Sequence, residues 1–457
     1  MACSVRKCKG TQLLPFILTG KANILTIFPH QKFTALNYLL FAVYLFVLCW
    51  LLLLVPFTKN AGIAGKTLLA LFLFKIVAGI AIGWISIHIY GPGNDYWDVH
   101  DFALEEYQLL FTDPGKYFSN IFTSDYQTGY SGVFSSYNSY WNDLRNNLII
   151  KLVSVFNIFS RGDYYINSLF FNFIIFFGHV TLYRLLIKIF PGREWLVIMG
   201  CFLLPSTLYF SSGIHKDGVV FLTLAILIYS IYQSLLKNKF TVKRLLLVLI
   251  SLALLFLIRS FVFLALIPAL FAWVLAAKVN WHARWTYLGV YLITGLLFFN
   301  IGFISERIQP MDIIIKRQTE YMKLPVAATQ IQLTPLIASF KSFAGNVPEA
   351  LNHSLMRPYL WEKPVMSLLP LSIELFFYQL LFLLFLFFRR NDTEPVNKPF
   401  LLFALCFCLS VFLVIGYIVP NLGTLVRYRS LYLPLLITPL ICYVDWKRMA
   451  GLIKIIK

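Results

Sequence analysis

Between Asn37 and Phe57 the chain runs for 21 residues without a charged side chain. About 20 apolar residues in a row is what an α-helix needs to cross a hydrocarbon core. Comparable runs cover about 66–90, 165–187, 194–211, 217–236, 244–258, 261–277, 285–304, 366–388, 400–420 and 431–445. With 59% hydrophobic and only 13% charged residues, a soluble fold could not hide this much apolar surface. The expectation is an all-α polytopic membrane protein with about eleven transmembrane helices. A basic segment over 1–36 precedes a single transmembrane domain over 37–457, and the basic segment lacks a signal-peptide cleavage pattern.

The net charge is +19. In a soluble protein that would point to nucleic acid. Here the Lys and Arg collect in short connections, as the positive-inside rule demands, so no nucleic-acid partner is expected. Arg184, Lys188 and Arg193 flank one connection, and Lys237, Lys239, Lys243 and Arg244 fill another. Lys278 with Arg284, Arg389 with Arg390 and Lys398, and the tail Lys447, Arg448, Lys454 and Lys457 mark three more. All five are assigned to the cytoplasm. Two larger polar regions, about 91–164 and 305–365, and short loops near 212–216 and 421–429 then share the outer face. With eleven spans the basic N-terminus falls outside, against the rule. Either 11–30 contains an extra membrane-embedded piece or one of the spans is misassigned. Five of the seven cysteines lie in or near apolar runs, and none forms a CxxC pair or a disulfide framework.

The first outer region opens with Gly91–Asp101, GPGNDYWDVHD. Six of the 20 acidic residues lie between Asp95 and Asp113. Gly91, Pro92 and Gly93 break the preceding helix, and Asn94 or Asp95 could cap a new one. If 95–107 is helical, Asp98, Asp101 and Glu105 share a face. Two readings stand. One is a capped helix start with acidic groups favoured by the dipole. In the other, Asp95, nearest the membrane edge, is a general base toward a hydroxyl, and a neighbouring carboxylate orients it or holds a divalent cation. His100 reads as a hydrogen-bonded bystander or a helper.

Four further motifs carry polar side chains. In PSTLYFSSGIHKD, Pro205 to Asp217, a span breaks and exposes His215, Lys216 and Asp217. Lys216 either pairs with Asp217 or serves with the helix start as a phosphate site. Arg259 separates two apolar runs and is either an interface residue or a functional cation. Arg357, held before a proline in RPYLWE with Trp361 and Glu362, could grip a phosphate bidentately, beside aromatics suited to the interface or to a sugar. Glu374 lies inside a span and requires a polar partner. Arg427 and Arg429, in NLGTLVRYR, sit where positive-inside retention gives no reason for them.

The acidic loop, the PSxxxxSSGxxKD break, the RPxxWE segment and the RYR loop together resemble the GT-C class of bacterial integral-membrane glycosyltransferases. The likeness is to the protein O-mannosyltransferase and aminoarabinose transferase type, with related polysaccharide polymerases, and it spans about 65–445. It implies a polyprenyl-phosphate or diphosphate sugar donor in the bacterial inner membrane, membrane lipids around the chain, and a glycan or lipid acceptor. It gives the role of base to Asp95, with Asp98 or Asp101 as alternatives, and phosphate binding to Lys216, Arg357, Arg427 and Arg429. The chain departs from the GT-C pattern in one respect: its first two carboxylates are three residues apart, not adjacent or one apart. A repeat-unit polymerase and a lipid-linked sugar flippase are the alternative functions. The sequence contains no internal repeat of the kind a flippase often has.

Overall fold

The computed structural model describes residues 35–91, 93–123, 139–279, 282–305, 309–324, 327–362, 368–390, 397–449 and 451. The basic N-terminal segment up to residue 34, with any extra piece within 11–30, lies outside them, as do Lys454 and Lys457.

The described chain is helical, with no β-strand. Among the described residues, eight helices are long and apolar enough to cross a membrane: Ala35–Leu54, Gly65–His88, Tyr164–Ile189, Lys216–Leu236, Ser260–Lys278, Ala283–Ile304, Leu369–Phe387 and Lys398–Ile418. Two bent pairs raise the number to as many as ten. The chain is that of a multi-pass membrane protein. The run expected as a span over 194–211 is one of these pairs, Glu194–Phe202 and Pro205–Ser212, bent by 48° where Pro205 cannot continue the ladder. Val242–Ile258 has 17 residues, at the lower end of what a crossing needs.

One expectation is corrected. The loop foreseen near 421–429 is a helix, Leu422–Ser430, whose start Asn421 caps through Thr424 N at 3.0 Å. It bends by 65° into Leu433–Tyr443. The charges of its RYR sequence hid it from a hydropathy reading, although Arg429 is buried.

Contacts divide the chain into two compact units, 1–177 with 211–219, and 178–210 with 220–457. In the first unit, the described residues after 91 are mostly helical. Gly91 and Gly93 turn the chain at φ +78° and +80°, values that disfavour any side chain. Asn94 then serves two helices. Its Nδ2 donates to Ser86 O (3.0 Å), near the end of Gly65–His88, while its Oδ1 accepts from Tyr96 N and Trp97 N (3.2 Å each) at the start of Asp95–Thr112. Trp97 Nε1 adds a bond to Gly83 O at 3.0 Å, and its ring stacks on Tyr164 at 4.2 Å. Further along, Glu106 accepts from Lys151 and from Asn120 Nδ2, joining Asp95–Thr112 to the amphipathic Tyr140–Ser160 helix.

In the second unit, Ser260–Lys278 packs on Lys398–Ile418 through Trp273, which stacks on Phe403 at 4.7 Å. Gly416 lets the backbone of the Phe340–Leu351 helix approach so closely that a Cβ there would lie 2.0 Å from Ala350 O.

Candidate functional site

The first unit brings Asp95, His215 and Asp217 together. Asp95 is the first residue of its helix, and the Asn94 cap and the Trp97 bond hold it at the end of Gly65–His88. His215 precedes the Lys216–Leu236 helix, and Asp217 lies in that helix's first turn, where the dipole favours a carboxylate. His215 Nδ1 is 3.1 Å from Asp217 Oδ2, and Nε2 is 3.9 Å from Asp95 Oδ2. The Asp217 amide also lies 3.4 Å from Nδ1. The carboxylate contact is the shorter of the two and is the one an Nδ1–H makes as donor. Asp217 is fully buried and His215 nearly so, whereas the Asp95 side chain is 27% exposed. A buried carboxylate thus orients an imidazole toward a carboxylate that solvent can reach.

Tyr96 closes the cluster, its ring edge-on to His215 with centroids 5.7 Å apart. This requires Gly213, since a Cβ there would sit 2.3 Å from Tyr96 Cε1. Asp98 is half-buried with Oδ2 out of solvent contact, while Asp101 and Glu105 are exposed on the same helix. Lys216 is half-buried.

His100 belongs to a separate buried network. Its Nδ1 accepts from Asn167 Nδ2 at 3.3 Å, and Asn167 donates to Asn157 Oδ1 at 2.6 Å. Burial pushes its pKa down to about 4, against a smaller upward pull from a hydrogen bond with the Gly162 backbone. The imidazole is neutral at pH 7, which fits the bystander reading.

The second unit holds the other candidates in a compact lattice. Arg357 Nε donates to Glu362 Oε1 at 2.7 Å, and Glu362 Oε2 accepts from Tyr359 N at 3.0 Å. This small loop presents Trp361, 81% exposed and stacked on Tyr359 with centroids 5.0 Å apart. Arg429 Nη1 donates to Ser354 O (2.7 Å) and Arg357 O (2.8 Å). Arg357 and Arg429, read from sequence as grips for a phosphate, therefore also carry structural bonds. Arg259 joins Val242–Ile258 to Ser260–Lys278 and lies 3.9 Å from the Tyr428 ring. Arg427 is half-buried in the Leu422–Ser430 helix.

Glu374 has the polar partner its position demands. It accepts from Ser206 N (3.0 Å), Ser206 Oγ (3.0 Å) and Tyr378 OH. Ser206 follows Pro205 at a helix start, so its amide has no acceptor in its own helix. Sequence reading missed two features. Lys75 was visible only as a charge within a span, and the Asn94–Trp97 double grip reaches back over the Gly91–Gly93 break to Ser86 and Gly83, a fold-back that no residue pattern announces. Among the described residues no group of three His, Cys, Asp or Glu is arranged to hold a metal ion. Compared with protein-family models, with curated proteins and with solved structures, the chain matches none of them.

Proposed function

We propose that this chain is a GT-C-like glycosyltransferase of a bacterial inner membrane. It moves a sugar from a polyprenyl-phosphate or diphosphate donor to a cell-envelope glycan or lipid. The reading takes about eleven spans, with the short Val242–Ile258 helix counted among them. The observation that carries it is the Asp217–His215–Asp95 row, with solvent access at its Asp95 end. In one displacement the acceptor hydroxyl oxygen attacks the anomeric carbon, and the bond from that carbon to the phosphate oxygen breaks with its electron pair going to the phosphate. The configuration inverts. The hydroxyl proton passes to Asp95, which is general-base catalysis, and His215, fixed by Asp217, stabilises the protonation change beside it. Lys216, next to His215, supplies positive charge for the leaving phosphate.

The test is release of polyprenyl phosphate from a panel of polyprenyl-phosphate hexoses and pentoses by detergent-purified protein. Asp95→Asn is expected to lower turnover by about 100-fold or more at unchanged expression. Turnover equal to wild type removes Asp95 as the base. Lengthening of lipid-linked oligosaccharides in the same assay selects the polymerase reading. Passage of labelled lipid-sugar across sealed vesicles without covalent change selects the flippase.

A further inference from the structure

Lys75 lies in the middle of the Gly65–His88 helix and is 1% exposed. An ammonium buried in a span is costly, and such residues are retained for a task. Its Nζ contacts Ser211 Oγ at 2.9 Å, Ser212 Oγ at 3.0 Å and Ser211 O at 3.3 Å. Three donors meet three acceptors at the last two residues of the Pro205–Ser212 helix. A cation at a helix C-terminus satisfies end carbonyls and complements the dipole. A second tether acts on the same turn: Asn172 Nδ2 donates to Ser212 O at 2.8 Å and to Ser168 O at 2.9 Å.

The placement joins two carriers. Gly65–His88 carries Asp95 through the Asn94 and Trp97 grips, and only Gly213 and Ile214 separate Ser212 from His215. We propose that Lys75 is a positioning residue, tying the helix that carries Asp95 to the segment that carries His215 and so fixing the separation of that pair. What the pair does rests on the sugar-transfer reading. That Lys75 holds it does not.

The experiment uses the full chain in detergent with a reporter, Ile214→Cys, at a fully buried position. Maleimide labelling is read against the same protein without the reporter. Lys75→Met is expected to raise reporter labelling by about tenfold, and Ser211→Ala with Ser212→Ala to do the same. Combining all three should add little, because they break one interaction. In the transfer assay Lys75→Met should lower kcat by about 10- to 100-fold with KM within about twofold, and displace the acid limb of the pH–rate profile. Should Lys75→Met fail to fold, Ser212→Ala alone removes one of the three bonds and must show a graded version of both effects. Wild-type labelling and an unmoved pH profile, in either variant, overturn the proposal. Raised labelling together with full activity of Asp95→Asn leaves Lys75 in its role and removes the sugar-transfer reading instead.

Discussion

The imidazole of His215 is held 3.1 Å from the carboxylate of Asp217, a side chain with no solvent exposure. An oriented ring is useful only if something on its far side uses the orientation, and Asp95 stands there at 3.9 Å. Asp217→Asn keeps the shape and loses the charge. On the sugar-transfer reading, kcat is expected to fall by about 10- to 100-fold with KM nearly unchanged. A raised KM at normal kcat would place Asp217 in ground-state binding instead.

His100 gives a pH dependence of stability. Its pKa is about 4 in the folded chain against 6.5 for the free side chain. Between these values the unfolded chain binds the extra proton, so stability is lost as pH falls from 6.5 toward 4. The shift corresponds to about 3 kcal/mol at most. Thermal melting in detergent across that range should show the loss, and His100→Gln should flatten the part of the slope that His100 causes.

Glu374 is expected to be structural. Replacing it with Leu strands the Ser206 amide at a buried helix start, at a cost of about 2–4 kcal/mol, whereas Glu374→Gln keeps an acceptor and should cost less. Equal melting temperatures for the two variants would refute this.

Gly416 and Gly289 form a matched pair. Gly416→Ala drives a methyl against the Ala350 carbonyl and should destabilise by about 1–3 kcal/mol. Gly289, in the Ala283–Ile304 helix, has nothing within 4 Å of an added Cβ, so Gly289→Ala should be neutral or stabilising by up to about 1 kcal/mol. Comparable melting temperatures for both would remove the close approach as the cause.

The long helices were legible because crossing a membrane imposes a length and an apolar content that few other structures need. The Tyr164–Ile189 and Lys216–Leu236 helices fall within a few residues of the runs read at 165–187 and 217–236. The Asn94 cap was legible too, from the GPGN break. Leu422–Ser430 was not, because Arg427 and Arg429 lower its hydropathy and the burial of Arg429 depends on carbonyls some 70 positions earlier. The same holds at the candidate site. His215 and Asp217 announce themselves as neighbours in sequence. Their meeting with Asp95, 120 positions away, depends on Gly213 admitting Tyr96.

The two grips that fasten Asp95 to the end of Gly65–His88 make that helix a lever. Lys75 is its fulcrum, and the 14 residues from Lys75 to Ile89 give an arm of about 21 Å. A tilt of about 3° about that point moves the far end by about 1 Å, a displacement on the scale to which catalytic geometry is sensitive. Helices tilt to match the thickness of the bilayer around them. On the sugar-transfer reading, turnover in vesicles of graded acyl-chain length should therefore pass through an optimum, so that the membrane helps set where Asp95 points.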